Sequence, residues 1–165
     1  MIRALALGLA LSAAPALAQG ILYSDAQTRS CLDELPVGAA LSDCAGLSSA
    51  ICMQANDAGH TTVGMGGCLD GELTFWDALL NETYQAVLQD ARQMDAEMRE
   101  LGSAAPAQAP ALVAMQRAWI TFRDEACAYE RTKWGGGTGG GPATLQCLME
   151  LTADQTDRLS RQWGE

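Results

Sequence analysis

The chain has 165 residues, with 20 acidic against 10 basic groups, one histidine and six cysteines. Such an acidic excess repels nucleic acid and anionic lipid and favours a cationic partner. A single histidine, His60, and the lack of any C-x-x-C pair argue against zinc, which prefers tight cysteine pairs or Cys/His clusters, so no metal or cofactor is expected.

Arg3 opens a short positive region, Ala4 to Leu11 runs apolar, and Ala16-Leu17-Ala18 offers the small residues that a signal peptidase reads. Residues 1–18 are therefore expected to be a secretory signal, cleaved after Ala18. Pro15 and Gln19 leave the apolar stretch too short to span a bilayer comfortably. No cysteine stands at the cleavage point and no later apolar run reaches spanning length, so neither a lipid anchor nor membrane contact is expected after cleavage. Without Arg3, the chain from Gln19 on carries 9 basic and 20 acidic groups, a net charge of −11. That length suits one domain with a sizeable core.

Helical spacing dominates the rest. Ser24 with Gln27 predicts a capping box opening a short helix through Cys31 to Leu35, ended by Pro36-Val37-Gly38. Ser42 can cap a second short helix reaching about Asn56, and Asp57 to His60 reads as a turn. Leu69, Leu73, Trp76, Leu80, Tyr84, Val87, Ala91, Met94, Met98 and Leu101 step by three or four, the stripe of one long helix. Gly102 is placed to cap its end, while Gly66, Gly67 and Gly71 weaken its first turns. Ser103 to Pro110 reads as a loop. A fourth helix places Leu112, Met115, Trp119, Phe122, Ala126 and Tyr129 on one face. After Lys133-Trp134 comes the run Gly135 to Gly141, interrupted only by Thr138, and Pro142 suits the first turn of a fifth helix buried through Leu145, Leu148, Leu151, Gln155 and Leu159. The expected fold is all-α: a small antiparallel bundle with a long central helix, stapled by disulfides.

Disulfides are the default for Cys31, Cys44, Cys52, Cys68, Cys127 and Cys147, because their number is even and the expected compartment is oxidising. Six cysteines permit fifteen pairings.

Leu80-Asn81-x-x-Tyr84 and Gln116-Arg117-Ala118-Trp119-x-x-Phe122-Arg123-Asp124-x-x-Cys127, with Thr62-x-x-Met65-x-x-Cys68 before them and Cys147 after the glycine run, resemble the LprI-like lysozyme inhibitor family. The resemblance covers roughly Cys52 to Leu159 and implies an exported helical domain, often with two disulfides, that binds rather than catalyses. It implies the pairs Cys52–Cys68 and Cys127–Cys147, each flanking a turn between adjacent helices. Cys31 and Cys44 lie outside the family core and look like an added pair. The chain then divides into a signal peptide (1–18), an N-terminal helical extension (19–50) and an LprI-like helical domain (51–165). One departure is Gln155, where the family tends to place an arginine.

Trp76, Tyr84, Trp119 and Phe122 lie on apolar stripes and are expected in the core, with the third and fourth helices packed face to face through them and Leu80. Asn81, Gln116, Arg117, Arg123 and Asp124 fall beside those faces and are expected to form a polar network between the same helices, since an unsatisfied buried group costs about 1–3 kcal/mol. Glu72 with Glu82, or Asp90 with Asp95, can be posed as acid pairs, but carboxylates on a helix are usually solvated. The glycine run ends without the Gly-Lys-Ser/Thr of a phosphate loop and reads as a connector closing the Cys127–Cys147 loop. No Ser-His-Asp or Cys-His set stands out, so no catalytic residue is assigned. The expected function is a periplasmic or secreted binder of a basic lysozyme-like protein, with Trp134, Gly136, Gly137 and Thr138 as the adaptable contact residues. The alternative is an envelope interaction module without lysozyme activity.

Overall fold

A computed structural model describes residues 20–163; the leader expected over residues 1–18 lies outside them. The described residues form helices α1 (Ala26–Glu34), α2 (Leu47–Ala55), α3 (Thr62–Glu100), α4 (Gln108–Thr132) and α5 (Gly140–Trp163), with a 3-10 turn at Leu41–Cys44 and no strand. The cysteines pair in chain order, Cys31–Cys44, Cys52–Cys68 and Cys127–Cys147.

Several helix ends differ from the sequence expectation. At α1 no capping box forms. Asp25 stands at the N-cap without a side-chain bond, and the Ser24 hydroxyl accepts from the Ala26 amide at 3.3 Å. The single helix expected from Ser42 is split by Gly46, whose φ of 91° breaks the turn before α2. The glycines near the start of α3 do not delay it. Thr61 caps it, accepting from the Gly64 amide at 3.0 Å, and the helix then runs 39 residues. Its C-terminus closes as expected, with the Gly102 and Ser103 amides donating to the Arg99 and Met98 carbonyls.

The glycines instead let another segment come close. A Cβ on Gly71 would lie 2.5 Å from the Tyr23 ring and one on Gly67 3.3 Å from Ile21, so the N-terminal segment before α1 lies directly on the α3 backbone. Asn56 holds that segment by both backbone groups of Leu22, each at 3.0 Å.

The bundle proper is α3, α4 and α5. Asp77 meets Arg123 and Asp95 meets Gln108, which sets α3 antiparallel to α4. Gln116 meets Gln155 and Cys127 meets Cys147, which sets α4 antiparallel to α5. The expected packing of α3 on α4 holds in part: Leu80, Tyr84 and Trp119 share one cluster with Leu112, whereas Trp76 is buried elsewhere, and α5 shares the interior with both. Trp76 is fully buried in one core cluster with Cys44, Leu69, Met149 and Ala153, against which Leu32, Leu35 and Leu41 of the N-terminal region pack. Leu80, Val87, Leu88, Ala91, Leu112 and Leu159 form a second cluster, flanked by half-buried Tyr84 and Trp119. Met94 and Leu101 are exposed, so the long stripe of α3 is a core face only as far as Ala91.

Carboxylates on the long helices cap the shorter elements. Glu72 is fully buried; its Oε1 accepts from the Thr28 hydroxyl (2.7 Å) and the Gly46 amide (2.9 Å), and its Oε2 from the Ser49 amide (2.7 Å). It thus satisfies amides that the α2 N-terminus leaves without helical partners. Asp95 does the same for α4, accepting from the Gln108 and Ala109 amides at 2.6 and 2.9 Å. Asp157 accepts from the Leu41 amide at 2.8 Å at the 3-10 turn. Glu72 is thus shut off from solvent, and half-buried Asp95 spends both oxygens on amides rather than on Asp90. Beside Glu72, burial and then the carboxylate charge push the Tyr23 phenol up to about 12.

Candidate functional site

Where α4 crosses α5, two clefts of about 680 and 540 Å³ meet at Phe122, Leu151 and Asp154. The first is closed by Met115, Ala118, Trp119, Gln155, Asp157 and Arg158. The second runs toward the glycine run between Glu130 and Trp134 on one wall and Gln146, Cys147 and Glu150 on the other. Together they make one groove with exposed aromatic side chains and a carboxylate rim.

Phe122 is 61 % exposed at the meeting point, which overturns its expected place in the core. Its register on α4 points it along the α4–α5 seam rather than into the bundle, a distinction that a three-and-four stripe does not make. Trp134 is 50 % exposed, and its indole lies on the glycine run. A Cβ on Gly139 would stand 2.3 Å from the ring, so only a bare backbone lets the indole sit there. Gly136 and Gly137 are exposed, and the Gly137 amide donates to the Trp134 carbonyl at 2.8 Å. Thr138 is exposed, with its hydroxyl 3.4 Å from that of Thr62 at the start of α3.

The expected polar network is only partly assembled, and chiefly on a different helix. Gln116 is buried and accepts from Gln155 Nε2 at 3.0 Å, joining α4 to α5. Gln155 thus supplies that interior contact itself. The Arg123 side chain is 17 % exposed and pairs with Asp124 at 2.9 Å and with Asp77 at 3.3 Å, while donating to Thr152 at 3.5 Å. Its guanidinium lies 5.2 Å from the Trp119 ring centre. Asn81 and Arg117 are exposed and do not join the network. Both face water because the α3–α4 contact is narrower than two stripes suggested.

Asp154 and Glu150 are the signals that sequence reasoning missed. Both are exposed; Glu150 accepts only from Gln146 of its own helix, and Asp154 forms no ion pair among the described residues. Their spacing of four on α5 opposite Phe122 was readable, but the α4–α5 pairing that makes it a site was not. Among the described residues no cluster of histidine, cysteine, aspartate and glutamate could hold a metal ion, and no helix is long and apolar enough to cross a membrane.

Residues 52–159 match the family described as Lysozyme inhibitor LprI. An uncharacterized protein of Rhizobium meliloti (strain 1021) is 34 % identical over 92 residues, which are 56 % of this chain and 66 % of that relative, just under two thirds of its length. No solved structure matches the chain.

Proposed function

The chain belongs to the Lysozyme inhibitor LprI family, and from that premise we propose that it is an exported binding protein, acting after loss of residues 1–18, that inhibits a basic lysozyme-like enzyme without chemistry of its own. The observation that carries the reading is the α4–α5 groove, with exposed Phe122 and Trp134 and a carboxylate rim, lying wholly inside the matched residues 52–159. Lysozyme-type enzymes cleave glycosidic bonds between two carboxyl groups in a cleft. Trp134 with Gly136, Gly137 and Thr138 at the groove's end is the segment that would cover such a cleft. The three disulfides suit an oxidising compartment.

Lysozyme activity in the presence of oxidised residues 19–165, across salt concentrations, tests the reading. Steering by a net charge of −11 fades as salt shortens the Debye length from about 10 Å at 0.1 M to about 3 Å at 1 M. A docked loop governs dissociation and fades less. Inhibition should weaken yet persist at high salt, and Trp134→Ala should chiefly speed dissociation. No inhibition at low salt, with the disulfides intact, overturns the proposal. Inhibition that vanishes by moderate salt leaves only attraction between opposite charges, and an envelope interaction module becomes the better account.

A further inference from the structure

Three exposed or half-exposed aromatic rings of this protein each carry a cation that a carboxylate also holds. Arg29 lies 4.9 Å from the Phe75 ring centre and pairs with Asp25 at 2.8 Å. Arg123 lies 5.2 Å from the Trp119 ring centre and pairs with Asp124 and Asp77. Lys133 lies 5.3 Å from the Tyr129 ring centre and pairs with Glu130. The arrangement is favourable because the ring face attracts a cation while the carboxylate accepts its hydrogen bonds. The second cleft of the groove repeats this kit with one difference. Phe122 and Trp134 are exposed, Glu150 and Asp154 face them across the seam, and no guanidinium or ammonium of the described residues lies over either ring.

We propose that the cleft between Phe122 and Trp134 receives an arginine side chain of the partner, with the guanidinium against the aromatic faces and hydrogen-bonded to Asp154 and Glu150. This deepens the reading above and rests on it for placing the partner at this groove. Arginine fits better than lysine, because the planar guanidinium stacks on a ring and meets a carboxylate through two parallel N–H groups, whereas an ammonium is a compact, strongly hydrated charge. The cleft, of about 540 Å³, has room for one such side chain and its flanking backbone. Gly139 is the positioning residue: it lets the indole of Trp134 rest against the loop while Trp134 still lines the cleft. The glycine run, whose one side chain is that of Thr138, thereby holds one of the cleft's two aromatic walls.

Calorimetric titration of oxidised residues 19–165 with a capped tetra-arginine peptide at 0.15 M salt tests this, with tetra-lysine and a chitin tetrasaccharide as comparison probes. Tetra-arginine should bind about tenfold more tightly than tetra-lysine, and the saccharide should not bind. Trp134→Ala, Gly139→Ala and Asp154→Asn should each weaken tetra-arginine about fivefold or more, while Asp33→Asn on the outside of α1 changes it less than twofold. Equal affinity for the two peptides, an equal effect of Asp33→Asn, or binding of the saccharide in place of the peptide each overturns the proposal. Site-specific arginine binding without lysozyme inhibition would sink the lysozyme reading and keep the arginine site. Lysozyme inhibition untouched by Asp154→Asn would do the reverse.

Discussion

Two carboxylates, Glu72 near one end of the bundle and Asp154 on the α4–α5 seam, belong to the same residue class on long helices and do opposite things. Glu72 is fully buried; its Oε1 accepts from Thr28 of α1 and from Gly46 at the α2 N-cap, and its Oε2 from Ser49 in the first turn of α2. Asp154 is exposed beside an exposed ring and makes no ion pair among the described residues. The first region is closed by two disulfides, a strap of N-terminal chain on bare glycine backbone, and internally satisfied polar groups. The second is closed by one disulfide and leaves its hydrogen-bonding capacity facing outward. A charged group that the fold has already satisfied contributes stability, and one that it has left unsatisfied beside apolar surface is available to a partner.

The comparison breaks most readily at its buried side. Glu72→Ala leaves the buried Ser49 amide and the half-buried Gly46 amide without an acceptor and leaves the Thr28 hydroxyl with Ser48 Oγ alone. At about 1–3 kcal/mol for each such group, a loss of about 3–5 kcal/mol is expected in urea unfolding. An unchanged unfolding midpoint would mean that the network is not closed. Trp76→Ala, which empties a fully buried site, should cost a similar amount, about 3–5 kcal/mol.

Replacing Cys127 and Cys147 together by serine frees a loop of sequence separation 20. In the chain-entropy account this costs about 3 kcal/mol. It should also loosen Trp134, which would be seen as a change in its fluorescence in the native state. A native-like spectrum with full stability would show that the helices alone hold the groove.

Alkaline pH gives a smaller effect. The Tyr23 phenol is raised from 10.0 to about 12 in the folded protein, by burial first and then by the charge of Glu72. The unfolded chain therefore ionises first. This contribution to stability is complete below pH 10 and is lost as pH rises from 10 toward 12. Tyr23→Phe should flatten the decline in denaturant midpoint over that window, and an equally steep decline would assign it to other groups.

The smallest expected change is in the stability of Phe122→Ala. The ring is 61 % exposed, so the effect should stay within about 0.5 kcal/mol, while binding through the groove weakens. A cost comparable with that of Trp76→Ala would return Phe122 to the core and remove the groove's central contact.

Periodicity and punctuation along the chain determined the all-helical class, the long third helix, its Gly102 terminus and the order of the bundle helices, because these rest on local backbone preferences and on apolar spacing. The cysteine count, with the family resemblance, led to the three pairs that the structure contains. Which side of an apolar stripe faces which neighbour was decided only by tertiary packing. Phe122 and Trp119 lie three residues apart on one face of α4, yet one is exposed and the other half-buried, because α5 covers that face only in part. The same holds for charge. Glu72, Asp95 and Asp157 are interhelical caps and Asp154 is not, since a cap requires the N-terminus of another element within hydrogen-bond reach. The glycines show the limit most sharply. In the sequence Gly71 weakens a helix and Gly139 loosens a loop, whereas in the fold each is the place where an aromatic ring rests on bare backbone, a contact between segments that no local preference encodes.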